Sequence, residues 1–371
     1  MPILGKMKPG KVILIFGARR VGKTILLKDL IGKLNSPILQ LNGEDFNTHK
    51  ILEYRSVENY KSLLGEKKIL IIDEAQKIPN IGSILKLMID EIEDLKIIAT
   101  GSSVLDLQGK SGEPLTGRKF DFNLFALSEV EFTQLENIFE RMENIKSRLI
   151  FGNYPELLEV KNKEDKVEYL KNIVNSYLLK DIMMYENIKN SGKIFDLLKL
   201  IAYQVGNQVS NHELGKQLSM HKDTVEKYLD LLSKVYILYR LSGYSRNLRK
   251  EIVKTSKWYF LDNGIRNAII SNFNPIEMRN DIGQLWENYI ISERLKYQNY
   301  SRMAVNNYFW RTYDRQEIDW VEEREGKLFG YELKWKQDKV KPPVAFAKAY
   351  PDAEFNVITS ENYFDWINYE K

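Results

Sequence analysis

The chain has 371 residues, too many for one ordinary hydrophobic core, so two or three domains are expected. Its 55 basic and 51 acidic residues leave a net charge of only +4, which excludes a uniformly basic surface; any nucleic-acid contact must come from a local concentration of charge. The absence of cysteine excludes disulfides, thiolate metal sites and thiol nucleophiles.

The opening "MPILGKMKPGK" sets lysines before an apolar run, in outline like a secretory signal. The run Val12 to Phe16 is too short for one and gives way to Gly17, Arg19 and Arg20, so it reads as a buried strand. No run approaches the roughly 18 apolar residues of a bilayer span. The expectation is a soluble cytoplasmic protein without membrane contact.

Directly after that strand, Gly17-Ala18-Arg19-Arg20-Val21-Gly22-Lys23-Thr24 matches G-x-x-x-x-G-K-[ST], and a helical pattern opening at Ile25 follows. Strand, loop and helix in this order make a phosphate cradle. Backbone N–H groups close around the β-phosphate, Lys23 reaches the β- and γ-phosphates, and the Thr24 hydroxyl ligates Mg2+. The segment Gly17 to Ile25 is therefore the expected ATP site.

Next, "KKILIIDEAQKIP" predicts an apolar strand, Ile69 to Ile72, that ends in Asp73 and Glu74. The first carboxylate can support the metal's outer shell and the second can polarise the attacking water. A third strand, "KIIATGSS", brings Thr100, Ser102 and Ser103 toward the same edge, as γ-phosphate sensors or as plain turn and cap hydroxyls. Beyond Gly109, Gly112 and Gly117, Arg118 is either an arginine finger, which a neighbouring subunit or domain would have to present, or a solvated surface arginine.

"GARRVGKT", "LIIDEAQ", "ATGSS", "LTGR" and "FGNYPELL" together resemble prokaryotic AAA+ ATPases of the archaeal-type branch, which carry a C-terminal domain related to PD-(D/E)xK nucleases. The resemblance runs through most of the chain. It implies an α/β fold: a P-loop NTPase (AAA+) parallel sheet at 1–125, a helical lid at 126–192, a winged helix-turn-helix at 193–257 and an α/β PD-(D/E)xK nuclease-like domain at 258–371. It also implies that Gly152-Asn153-Tyr154-Pro155 begins or lies in the lid, with Tyr154 and Pro155 at the adenine. Asn153 departs from the more usual second glycine there, and a plain loop between helices is the alternative.

From 126 to 190 the helical patterns, among them Tyr169, Ile173, Tyr177 and the surroundings of Asp181, suggest lid core and surface without chemistry. In 209–240, Ser210-x-x-Glu213 predicts a capping box opening a short helix through Leu214 and Leu218. A turn at Ser219 and Met220 leads to a second helix through Val225, Leu229 and Leu232, which exposes His221, Lys222, Thr224 and Lys227. The strand-like "VYILYRLSGY" then completes a winged-helix pattern. Residues 205–257 hold ten lysines and arginines against five carboxylates, a local net charge of +5 that exceeds the whole chain's +4 and so locates the basic surface here. Arg246, Arg249, Lys250, Lys254 and Lys257 are expected to neutralise DNA phosphates, and a packing role for the module is the alternative.

In "GYELKWK", Tyr331, Leu333 and Trp335 alternate with Glu332, Lys334 and Lys336, a strand with one apolar and one polar face. The E-x-K spacing alone means little, since Glu66, Glu159, Glu164 and Glu325 also have a lysine two residues later. The setting is what separates Glu332: "RQEIDWV" upstream carries Asp319, and a hairpin through "EEREGKLFG" would bring Asp319 and Glu332 together to ligate Mg2+, with Lys334 orienting a water. Glu287, on an amphipathic helix with Trp286, Tyr289 and Ile290, completes the order seen in PD-(D/E)xK nucleases. By that resemblance Glu287, Asp319, Glu332 and Lys334 take the metal and catalytic positions, and Arg311 contacts phosphate. The expected function is an ATP-hydrolysing AAA+ protein that engages DNA, with Mg2+-dependent endonuclease activity and a catalytically inactive docking domain as alternatives for the C-terminal segment. A homo-oligomer follows if Arg118 acts on a neighbour.

Overall fold

A computed structural model describes residues 3–102, 115–178, 191–245, 255–336 and 339–368. They divide into two units, Met1–Ala126 with Lys234–Tyr236, and Leu127–Ser233 with Ile237–Lys371. No helix among the described residues is long and apolar enough to cross a membrane.

Unit 1 is built on a parallel sheet of β1 (Val12–Phe16), β2 (Ile38–Asn42), β3 (Ile69–Asp73), β4 (Lys96–Gly101) and β5 (Lys119–Asn123), in the order β2-β3-β4-β1-β5. The central strand β1 is buried throughout, as a parallel strand covered on both faces must be, which is why it reads as an unbroken apolar run. Its period of two sorts the core into two layers. Val12, Leu14 and Phe16 pack with Leu85 and Met88 of the helix Ile81–Glu91, while Ile13 and Ile15 pack with Leu27 and Leu30 of the helix Lys23–Gly32.

The order of the strands matters more than their number. Because β4 pairs with both β1 and β3, the C-terminal ends of these three strands lie side by side. The loops that follow them therefore converge on one edge of the sheet, where ligands of open α/β sheets characteristically bind.

Unit 2 is built on a mixed sheet of β6 (Gln208–Ser210), β7 (Leu238–Gly243), β8 (Thr255–Phe260), β9 (Asn306–Arg311), β10 (Glu317–Arg324), β11 (Lys327–Leu333) and β12 (Glu354–Ile358), in the order β12-β11-β10-β9-β7-β8-β6. The parallel pairing of β7 with β9 joins strands from two sequence segments, 193–257 and 258–371, in one sheet. As the sequence suggests, β10 and β11 form a hairpin; Glu325 and Gly326, with φ of 51° and 75°, supply the left-handed pair that a two-residue turn requires.

The helices Asn211–Leu218 and Lys222–Lys234 flank a turn at Ser219, whose φ is 51°, and Val225, Leu229 and Leu232 are buried as expected. The capping box at Ser210 does not form. Ser210 occupies the N-cap, but it is also the last residue of β6 and its side chain makes no capping bond. The loop after β7 lies largely outside the described residues, and with it Arg246, Arg249, Lys250 and Lys254. The surroundings of Asp181 are also outside them.

The helix Ile282–Tyr300 is buried on nearly every side, and its buried asparagine, glutamate, arginine, lysine and glutamine side chains find partners. Asn288 accepts from the Phe260 N–H at 2.7 Å and donates to the Phe260 carbonyl at 3.0 Å, so the helix docks on the end of β8 as another strand would. Arg294 donates from Nε and Nη2 to the two oxygens of the fully buried Glu322, at 2.6 and 2.8 Å, and Gln298 and Trp320 donate to the same carboxylate. Cutting one partner out of such a pair strands the other charge in a low dielectric. Arg294→Leu is accordingly expected to destabilise unit 2 by about 3–5 kcal/mol, measured as a shift in the urea unfolding midpoint.

Candidate functional site

In unit 1 the loop after β1 carries the phosphate-cradle motif, and its backbone shows why two positions need glycine. Gly22 caps the helix Lys23–Gly32 at a φ of 101°, strained for any other residue, and a Cβ on Gly17 would lie 2.2 Å from the Leu124 carbonyl oxygen. Between them, Ala18, Arg19 and Arg20 form the outer turn with Arg20 left-handed at φ 65°, while Val21 tucks into the core. Ile25, in the helix's first turn, is 70% exposed and adds nothing to the core beneath.

Lys23 is buried and folds back over the loop, its Nζ donating to the carbonyl oxygens of Gly17 and Ala18 at 3.0 Å each and lying 3.9 Å from Glu74 Oε1. The Thr24 hydroxyl donates to Asp73 Oδ2 at 2.8 Å, and Thr100 from β4 donates to Asp73 Oδ1 at 2.5 Å. Thr100 also accepts from the Glu74 N–H at 2.9 Å, which helps hold Glu74 in its left-handed conformation of φ 51° and ψ 40°. Gln76 donates to Glu74 Oε2 at 2.6 Å and to the Ser102 hydroxyl at 3.0 Å. Strands β1, β3 and β4 thus bring Lys23, Thr24, Asp73, Glu74, Thr100 and Ser102 to one edge. Gln76 escaped the sequence reading; its signal was its place two residues after Glu74 in a turn that ends the strand. Ser103, Gly109 and Gly112 lie outside the described residues.

Arg118 is not part of this edge. It precedes β5, and its carbonyl accepts from the Val12 N–H at the start of β1, whereas the cradle follows the end of β1. A strand's length, about 3.3 Å per residue, separates the two ends. Arg118 pairs there with Asp90 at 2.7 Å, so a cis arginine finger at this chain's own cradle is excluded.

Tyr154 and Pro155 belong to unit 2, where burial pushes the Tyr154 hydroxyl well above its ordinary range, with the Asp262 and Tyr169 charges adding to the shift. Only 6% of Tyr154 is exposed, so its ring is packed in the core. Asn153 is tied in by its N–H to Asp262 Oδ2 at 2.8 Å and by its side chain to Glu293 at 3.0 Å, a locking role absent from the sequence expectation.

In unit 2, β10, β11 and the helix Ile282–Tyr300 gather the expected acidic residues. Asp319 accepts from the Leu333 N–H at 3.0 Å across the hairpin, and Lys334 pairs with Glu332 at 2.7 Å. At the centre stands a residue the sequence had placed on DNA. Lys257, on β8 and 2% exposed, points its ammonium at Glu317 (2.5 Å), Glu287 (3.7 Å) and Asp319 (3.8 Å). Its expected phosphate contact is therefore overturned: the charge is buried and spent on carboxylates. Tyr259, on the same face of β8, donates to Glu287 Oε1 at 2.6 Å, and Arg311 lies 3.5 Å from Glu317.

Among the described residues no group of three or more His, Cys, Asp or Glu side chains is set to hold a metal ion. The metal positions expected at Glu287, Asp319 and Glu332 are thus not assembled as a ligand set. Each of these carboxylates already faces a donor or a cation. Sequence reading missed Tyr259 and Glu317 and gave Lys257 another role, although the spacings Lys257-x-Tyr259 and Glu317-x-Asp319 put each pair on one strand face.

Burial pushes the Glu287 carboxyl up to about 7 from an ordinary 4.5, against the pull of Lys257 and with the push of Asp319. Burial likewise raises Glu332, aided by Asp319. Burial opposes the charged form of Lys257, but Glu287, Asp319 and Glu317 outweigh it and the ammonium is held well above its ordinary range. Since the folded value of Glu287 lies above the unfolded one, its stabilising contribution is complete below about 4.5 and is lost as pH rises to about 7. Carbon-13 NMR of labelled glutamate is expected to show a carboxyl titrating near pH 7 that vanishes in Glu287→Gln.

Comparison with known proteins agrees with the first of these two sites. Residues 9–133 match the family model of an AAA domain, and residues 142–276 and 282–366 match two domains of unknown function, DUF8612 and DUF4143. An uncharacterized protein of Mycobacterium tuberculosis is 25% identical over 330 residues, covering 87% of this chain and 70% of its own. An uncharacterized protein of Methanocaldococcus jannaschii is 25% identical over 373 residues, covering 95% and 81%. Among solved structures, a DNA replication initiation factor aligns over 60% of this chain and 83% of its own at 13% identity and a TM-score of 0.27. A variant of Thermotoga maritima RuvB aligns over 62% and 82% at 16% identity and the same TM-score of 0.27. The cradle's geometry and the family match agree over residues 9–133, which carry the P-loop of an AAA-type domain.

Proposed function

We propose that the chain binds and hydrolyses ATP in unit 1 and engages DNA through unit 2, as an AAA+ protein of the archaeal-type branch. The observation that carries the first half is the set Lys23, Thr24, Asp73 and Glu74 at one sheet edge, with Thr24 and Asp73 already 2.8 Å apart. A hydroxyl beside a carboxylate is the donor set Mg2+ takes in P-loop sites, so the residues fit the ion; bound there, it would neutralise charge on the β- and γ-phosphates. Lys23 exchanges its two loop carbonyls for phosphate oxygens. Glu74, held by Gln76, accepts a proton from the attacking water, and Thr100 fixes the backbone that aims it.

Lys23→Ala is expected to lower ATP turnover at least about a hundredfold, the scale of losing one preorganised charge, and to weaken nucleotide binding. Glu74→Gln is expected to stop turnover while ATP still binds, measured by phosphate release and calorimetry. Undiminished turnover in either folded variant would sink the assignment.

Support for DNA engagement comes from the two helices around Ser219, followed by the antiparallel strands β7 and β8, in the order of a winged helix. Lys216 and Lys222 stand exposed on these helices. If they meet phosphates, the double variant Lys216→Ala, Lys222→Ala lowers the slope of log binding constant against log salt by about one per lysine, read by fluorescence anisotropy. An unchanged slope argues for packing instead.

For the C-terminal segment we favour the nuclease-like PD-(D/E)xK arrangement acting as a docking platform that does not cut. The observation behind this second reading is Lys257 among the carboxylates.

A further inference from the structure

The cluster of Glu287, Glu317, Asp319 and Glu332 has the composition of a divalent-metal site, yet its geometry assigns the cation to the protein itself. We infer that the Lys257 ammonium is the resident cation of this cluster, and that Glu287, Asp319 and Glu332 form no metal site in this chain. This deepens the docking reading of the C-terminal segment and is independent of whether unit 1 hydrolyses ATP.

Four observations carry it. The Lys257 Nζ reaches carboxylates from two different elements, at 2.5 Å from Glu317, 3.7 Å from Glu287 and 3.8 Å from Asp319, which is where an ion bridging the helix and β10 would have to sit. The side chain is 2% exposed and its ammonium lies 5.6 Å from the centre of the Phe309 ring, so it is built in and cannot swing out to solvent without unpacking. One oxygen of each carboxylate is already engaged: Glu287 Oε1 by the Tyr259 hydroxyl, Asp319 Oδ2 by the Leu333 N–H and Glu332 Oε1 by Lys334. Gly206 packs against the same carboxylate as Tyr259, since a Cβ there would stand 2.9 Å from Glu287 Oε1 and 3.0 Å from Oε2. A divalent ion entering this space would meet a buried like charge as well as occupied ligands.

Manganese binding to the full chain, followed by electron paramagnetic resonance without nucleotide, tests the inference directly. Wild-type protein and Asp319→Asn are expected to bind Mn2+ alike, because weak sites elsewhere are common to both. A wild-type site lost on Asp319→Asn would overturn the inference, and this comparison needs no change at Lys257. Replacing the ammonium by an apolar side chain of similar length supplies the converse. Lys257→Met is expected to gain one Mn2+ site, at least about tenfold tighter than any in the wild type, and to lose it when combined with Asp319→Asn. Folded Lys257→Met with no gained site would show that something other than the lysine keeps metal out.

Discussion

The chemistry of unit 1 depends on the position of β4 between β1 and β3. Thr100 leaves the end of β4 at the place where it can donate to Asp73 at the end of β3, and Thr24 reaches the same carboxylate from the helix after β1. Were β1 and β3 paired directly, no third strand end would stand between them to fix Asp73 from its other side. The carboxylate is thus held in one orientation by two neutral hydroxyls, which orient it without cancelling its charge. Hydrogen bonds to charged groups contribute about 1.5–3 kcal/mol each, enough to select one rotamer while leaving the anion available to a cation.

Unit 2 handles its buried acids in the opposite way. Glu322 faces Arg294, Glu293 faces Lys296 at 2.6 Å, and Glu129, fully buried, accepts from Arg148 at 2.9 and 3.1 Å and from Tyr363 at 3.2 Å. Most of these partners are far apart in sequence and lie on different elements. Such pairs add little net stability compared with apolar packing, but they penalise any register in which one member lacks the other. They fix how the helix Ile282–Tyr300 sits on the sheet, and through it where Glu287 points.

Much of unit 1 was legible because its signals are local. An unbroken apolar run names a parallel strand buried on both faces, and the cradle's glycines, lysine and threonine are contiguous. The hairpin β10–β11 was legible for the same reason, alternation on both strands with Glu325-Gly326 between them. What could not be read depends on contacts between distant segments. Counting charge placed Lys257 with the DNA-facing residues, because a count carries no information about which way a side chain points; its alternation with Tyr259 pointed inward, but only the fold shows the carboxylates waiting there. Ser210 satisfied the pattern of a cap and failed as one because β6 claimed it. Tyr154 sits in a short motif that resemblance ties to nucleotide, yet its burial, and the Asp262 and Tyr169 charges that join burial in raising its hydroxyl, come from the fold of unit 2, which no local window includes.

The two acidic clusters make a comparison within one chain. Asp73 and Glu74 on one side, Glu287, Asp319 and Glu332 on the other, offer the same functional group at strand or helix positions that a motif search treats as equivalent. What differs is the neighbour. At the cradle the near donors are hydroxyls, a backbone N–H and an amide, and the Lys23 ammonium stands 3.9 Å from Glu74 and is held by loop carbonyls that phosphate oxygens can replace. In unit 2 the near donors are ammonium groups beside the Tyr259 hydroxyl and the Leu333 N–H, and the central lysine is 2% exposed. A carboxylate can serve a metal only while its charge is unspent, so acidic residues in a nuclease-like order are necessary for metal chemistry without being sufficient. The identity of the residue facing them, here a lysine contributed by a strand outside the motif, decides which kind of site the fold has made.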